Sequence, residues 1–308
     1  GSCDSVISMG QRCGEITRHL YEGLFNGMNK SYLTNQAYRL VRYFVERSVQ
    51  ELPEEELGRS AVVFAPHPDD ETLGCGGTLI RKRKAQARVD MVFVTDGARS
   101  HDKVVSAELL RTIRKNEAIS AGRVLGIEEN RIMFLNFPDG QLYLRAVEAE
   151  IQVEEILQRL KPEQVFIPCF HENISDHLAV NRIVLAALEN CGLCPVVYEY
   201  PVWFWNHWPW VSQSARLGCG TFRRIRVSLS ANYQMNLLRR FRSSIFVGDV
   251  LDIKRRALEE YRSQMTRLIP DVPWPTLSDV GEGEFLECFF QQWELFYCYR
   301  MTPSQGEA

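Results

Sequence analysis

Between residues 60 and 202 the chain alternates two kinds of hydrophobic pattern. Short runs rich in Val, Ile and Phe occur at 60–66, 89–95, 131–137, 164–170 and 195–202, and segments with a helical apolar period fill 72–86, 104–126, 145–161 and 177–191. Continuous apolar runs mark strands buried on both faces, and helices of this length between them mark βαβ crossovers. The pattern therefore predicts an α/β protein with a mainly parallel sheet and helices on both faces. Upstream, the apolar period from Tyr32 to Val49 predicts an N-terminal helical extension over 1–58, ahead of one domain over 59–300. Beyond Tyr200 the period becomes irregular. Pro201 to Trp210 holds five aromatic residues, and a strand at 223–230, helices at 231–242 and 252–265, and a late strand at 285–290 are expected after it. No linker-like composition separates this part, so it is read as an elaboration of the same domain.

Composition narrows the function classes more than the fold. A hydrophobic content of 45% with 24% charged residues is that of an ordinary globular chain. A net charge of −3 gives no field that would attract nucleic acid, and the basic run Arg81 to Lys84 falls at the end of an expected helix, where the dipole favours it. No stretch is long and apolar enough for a transmembrane helix, and Gly1-Ser2 reads as a tag remnant. The nine scattered cysteines are an odd number, which suits reduced thiols and a cytoplasmic setting rather than a disulfide framework.

The candidate chemistry sits where the first strand ends. His67, Asp69, Asp70 and Glu71 lie between the run Ser60 to Ala65 and the glycine-rich segment Leu73 to Gly77. Three adjacent acids repel one another unless a cation or a proton is shared among them. Helix capping would need one acid, and it gives His67 no role. A catalytic zinc takes three protein ligands and leaves a place for water. His67 and one of Asp69 and Asp70 supply two. Asp176-His177, just after the strand Val165 to Phe170, offers the third at the same sheet edge.

On these residues the chain resembles the PIG-L-like (LmbE-like) zinc-dependent N-acetylglucosaminyl de-N-acetylases. Pro66 to Gly77 is similar to that family's first motif almost residue for residue, and Val94 to Gly97, Arg114 to Glu117, Phe137 to Gly140, Asp176-His177 and Lys254 to Gln264 are further matches. The resemblance implies a Rossmann-like fold and a hydrolase that removes an N-acetyl group from an N-acetylglucosamine-type sugar. It implies His67, Asp70 and His177 as ligands of Zn(2+), with Fe(2+) compatible with the same donors. Asp69 is then the general base, and Arg114 and Asp139 contact the sugar. One departure stands out: the family's distal His-Pro-Asp-His reads Ile174-Ser175-Asp176-His177 here, so the oxyanion-stabilising histidine is missing and His171 is the nearby substitute. The expected partner is a small amino-sugar substrate, with an apolar aglycone if the Trp203–Trp210 segment lines the cleft. The rival readings are a catalytically impaired sugar-binding protein and a nucleotide- or S-adenosylmethionine-binding enzyme on a similar sheet.

Overall fold

The computed structural model describes residues 49–170, 172, 174–206, 211 and 240–302. His171, Trp208, the segment expected as a strand at 223–230 and nearly all of the expected N-terminal extension lie outside the described residues. The elements are β1 (Gln50–Glu51), β2 (Ala61–Ala65), α1 (Asp70–Lys84), β3 (Val89–Thr95), α2 (Ala107–Leu125), β4 (Ile132–Phe137) and α3 (Ala146–Leu160). They continue as β5 (Gln164–Pro168), α4 (Ser175–Asn190), β6 (Val196–Tyr200), β7 (Ser243–Phe246), α5 (Leu251–Glu259), α6 (Arg262–Met265), α7 (Glu284–Glu287) and β8 (Trp293–Arg300).

The strands form one sheet in the order β1-β7-β8-β6-β5-β2-β3-β4. Pairing is parallel throughout except for β8, which runs antiparallel to both β6 and β7. The α/β class and the mainly parallel sheet are therefore as the sequence pattern predicts. Every residue of β2, β3, β5 and β6 is buried, the two-sided burial that their unbroken apolar runs require. Leu79, Ala118, Leu125 and Ala257 pack on one face of the sheet. Val153, Ile156, Val180 and Val184 pack on the other.

Two expectations need correction. The apolar run 285–290 is a helical turn, α7, and the strand follows it at Trp293–Arg300. Phe285 and Phe289 are both buried, one helical turn apart, and so short a run cannot be told from a strand by pattern alone. The helix expected over 252–265 is broken into α5 and α6 around Tyr261, whose backbone leaves the helical region.

The topology prepares a crevice. The chain passes from β2 to β3 on one side and from β5 to β6 on the other, while β2 and β5 are themselves neighbours. Loops leaving the carboxyl ends of β2 and β5 thus diverge over a switch point, where open α/β sheets bind ligands. Helix α1 lies close on the sheet because it is glycine-rich. A Cβ at Gly74 would come within 2.2 Å of the Tyr200 ring, and one at Gly77 within 2.7 Å of Val247. These glycines serve close packing of helix on sheet rather than approach to a pyrophosphate.

Candidate active site

The β2–α1 loop supplies His67, Asp69 and Asp70, and the β5–α4 connection supplies His177 from the first turn of α4. Asp70 lies between the two histidines. Its Oδ2 is 3.1 Å from His67 Nδ1 and 3.2 Å from His177 Nε2, and the two rings are 5.4 Å apart at their centroids. Asp70 Oδ2 also accepts the His67 amide at 3.0 Å, which fixes the turn. Burial alone would raise the Asp70 pKa, but His177 and His67 outweigh it and hold the carboxyl well below its usual range. Burial likewise opposes charge on His177, yet Asp70 and Glu172 pull its pKa up to about 9.

Each histidine is oriented from behind. His177 Nδ1 donates to Glu172 Oε2 at 2.6 Å, and both side chains are fully buried. Glu172 Oε1 in turn accepts the amides of Val202 and Phe204. On the other side, His67 Nε2 is 3.4 Å from Asp176 Oδ2 and 3.3 Å from Asp139 Oδ1. Asp176 is positioned by the Gly140 amide, which donates to its Oδ2 at 2.6 Å.

Two donor groups have the mutual distances a metal needs: His67, Asp70 and His177, and His67, Asp139 and Asp176. They share His67 through different nitrogens. The first fits a catalytic ion better, since two imidazoles and one carboxylate are a common zinc set and leave a position open. His177 Nε2 is also buried and makes no well-formed hydrogen bond, its near neighbour being Asp70 Oδ2 at 3.2 Å. In the second group both Asp176 oxygens already face backbone amides of the β4–α3 connection.

Asp69 lines the same cleft but faces a different partner. Its Oδ2 is 3.2 Å from Arg114 Nη2, and Arg114 also donates to the Pro68 carbonyl. Burial raises the Asp69 pKa to about 7 against the pull of Arg114. Its backbone φ of 126° is unusual for a residue with a side chain and costs about 1–3 kcal/mol. Among the residues expected to touch sugar, Arg114 is buried and Asp139 leans on His67, yet both line the cleft.

The cleft has a volume of about 400 Å³. Its far wall comes from Trp203 and from the late segment that carries Gln264, Thr276, Leu277 and Val280. Trp203 stacks on Phe285 at 5.1 Å and lines the cleft, whereas Trp205 is buried in the core beside Phe204.

Comparison with known proteins agrees with this geometry. Residues 62–188 match the model of the family "PIG-L: GlcNAc-PI de-N-acetylase". Diacetylchitobiose deacetylase of Thermococcus kodakarensis is 25% identical over 242 residues, covering 72% of this chain and 76% of that protein. The uncharacterized deacetylase YaiS of Escherichia coli is 26% identical over 165 residues, covering 51% of this chain and 83% of that protein. Among solved structures, N,N'-diacetylchitobiose deacetylase from Pyrococcus horikoshii, complexed with its inhibitor MPG, superposes with a TM-score of 0.55 at 20% identity. That match covers 86% of this chain and 92% of the other, and it speaks for the fold. The match places residues 62–188, the part that carries the first and distal motifs, in the PIG-L/LmbE-like GlcNAc de-N-acetylase family. Both of these curated relatives are named as deacetylases, and the described residues include a His/Asp group able to hold a metal. No helix of the described residues is long and apolar enough to cross a membrane.

The sequence reading missed Glu172 and gave Asp176 no task of its own. The signal was present but weak: an acid in the loop that carries a metal histidine is a candidate partner for its second nitrogen.

Proposed function

We propose that this protein is a zinc-dependent hydrolase that removes the N-acetyl group from an N-acetylglucosamine-type amino sugar or its conjugate. The bond cleaved is a linear, non-peptide amide. The observation that most supports this reading is the convergence of His67, Asp70 and the buried His177 Nε2 at distances that suit one metal ion. His67, Asp70 and His177 would hold the metal, which supplies a Lewis acid for the amide carbonyl and lowers the pKa of a bound water toward neutrality. Fe(2+) would suit the same donors.

The chain's own residues divide the remaining work. Asp69, with its pKa near neutrality, accepts a proton from the attacking water and returns it to the leaving amine. Arg114 orients Asp69 and keeps enough charge on it to act as a base. Glu172 and Asp176 fix the rings of His177 and His67, so that the donor atoms need no rearrangement. Arg114 and Asp139 stand where the hydroxyls of a bound sugar would be read, and Trp203 offers apolar surface to an aglycone. The thiols Cys75 and Cys288, both free and buried, suit a cytoplasmic setting. His171 is retained as the candidate oxyanion donor on its place in the sequence alone.

Metal analysis and acetate release from N-acetylglucosamine and its glycosides test the proposal together. Wild-type protein should bind close to one equivalent of zinc and release acetate, and His177→Ala should lose both. A protein that binds zinc but cleaves none of these amides would favour the sugar-binding reading. Full zinc retention in both His67→Ala and His177→Ala would remove the metal assignment.

A further inference from the structure

We infer that Tyr261, acting through Glu71, is a positioning residue that holds Asp69 in the backbone conformation from which its carboxylate reaches the cleft. The inference rests on the hydrolase reading above. Asp69 adopts φ 126° and ψ −28°, a combination that a side-chain-bearing residue leaves unless it is held. Pro68 restrains its own φ and does not dictate that of its neighbour.

Three contacts hold Asp69. Its carbonyl accepts the amides of Thr72 and Leu73 at 3.1 and 2.9 Å, which starts α1. Its carboxylate meets Arg114 at 3.2 Å. Its amide donates to Glu71 Oε2 at 3.2 Å. The first contact comes with the helix and the second with the ion pair. Arg114 also donates to the Pro68 carbonyl of the same peptide, and the third contact holds the amide end of that peptide from the Glu71 side.

Glu71 is fully buried, so no water can replace a lost partner. Its Oε1 accepts two hydroxyls, one from Thr72 and one from Tyr261 at 2.6 Å. Thr72 belongs to the same first turn of α1 and moves with it. Tyr261 lies at the break between α5 and α6, in a separate part of the chain that is itself buried. Its hydroxyl therefore ties the Glu71 carboxylate to an outside reference. Without that bond, Glu71 is free to turn its Oε2 away from the Asp69 amide, and the peptide can relax out of its unusual conformation. The phenyl ring alone would satisfy packing, so the hydroxyl carries the function.

Tyr261→Phe in the full-length protein tests this. The variant should keep its zinc and leave KM within about twofold of wild type, while kcat falls by roughly 10- to 100-fold, the scale of a displaced catalytic group. In an Asp69→Asn background the same change should add no further loss, because no base remains to be misplaced. A direct readout is independent of turnover. Labelling with 13C-proline and 15N-aspartate selects the Pro-Asp peptides, whose amides are those of Asp69, Asp139 and Asp271. Exchange of the Asp69 amide should speed up by roughly tenfold or more, while that of Asp139, which donates to Asp96, stays unchanged.

Wild-type kcat in Tyr261→Phe, an equal further loss in the Asp69→Asn background, or unchanged exchange at Asp69 would each overturn the inference. If Tyr261→Phe does not fold, Glu71→Gln breaks the same relay, because its single amide oxygen cannot accept from both Tyr261 and the Asp69 amide, and it should move both readouts the same way; if it moves neither, the inference falls. A wild-type protein that cleaves no amide sinks the hydrolase reading, whereas the exchange measurement still decides the role of Tyr261.

Discussion

The two walls of the cleft are built on different principles. The wall carrying His67, Asp69, Asp70 and His177 stands on the ends of parallel strands locked in register at the centre of the sheet. The opposite wall is hung from side chains. Glu117 Oε1 accepts the Ser263 amide at 2.7 Å and its Oε2 the Ser263 hydroxyl at 2.6 Å, Trp274 donates to the Ser263 carbonyl at 2.8 Å, and His101 stacks on Trp274 at 4.2 Å. The first wall falls within the family match and the second almost wholly outside it. The proposed chemistry thus rests on the strand ends, where small displacements are most damaging, and the shape offered to substrate rests on a part held by side-chain tethers.

The contrast sets a ranking of expected effects. Asp69→Asn should lower kcat by roughly 10²–10⁴-fold with zinc retained, the usual contribution of a positioned acid–base group. Loss of zinc in that variant, with retention in Asp70→Asn, would exchange the roles of the two aspartates. Glu172→Gln should weaken zinc binding by roughly 10–100-fold, as changes to a ligand's hydrogen-bond partner do. Chelator competition measures it, and unchanged affinity would mean that His177 is fixed by packing alone.

A pH profile sharpens the comparison further. Asp69 works as a base only when ionised, and Arg114 holds its pKa down against burial. Removing that positive charge raises the pKa, so the acidic limb of kcat/KM should move to higher pH in Arg114→Met. A limb that stays put, or moves down, would show that another group governs it. The smallest effect is expected on the tethered wall. Trp203→Ala should raise KM for an aryl glycoside of N-acetylglucosamine by several-fold, through the loss of apolar contact at about 25 cal/mol per Å², and leave kcat unchanged. Equal behaviour toward the free sugar and the glycoside in wild type would show that Trp203 only packs on Phe285.

The same divide governs what could be read from the sequence. The strands β2, β3, β5 and β6 and their crossover helices were legible, because two-sided burial leaves a mark on every residue of them, and the edge strand β4 was legible from its apolar run. The first and distal motifs pointed to one sheet edge for the same reason: parallel strands place successive loops side by side. The tethered wall leaves no periodic mark. Its contacts join residues such as Glu117 and Ser263, far apart in the chain, through a few side-chain hydrogen bonds. Glu172 was hidden by its loop, which has no period, and the run 285–290 was too short to separate strand from helix. The glycines of α1 looked like a helix start, and only the positions of Tyr200 and Val247 reveal them as packing sites.

Helix α1 also depends on the far end of the chain. It is broken at Cys75, and just beyond the break Glu294 of β8 accepts the amides of Gly77 and Thr78, both at 2.8 Å. The same carboxylate receives Lys254, which also donates to the Leu73 carbonyl at 2.9 Å. During synthesis, His67 and Asp70 therefore leave the ribosome roughly 10–45 s before Glu294 does, at ~5–20 residues per second. Over that interval the nascent chain displays its metal-binding motifs on a helix whose support has not yet been made. A chain halted ahead of β8 would keep every motif by which the family is recognised and lack the clasp that seats α1 against the sheet. The helix that carries Asp70 is seated only once β8 has slid between β6 and β7.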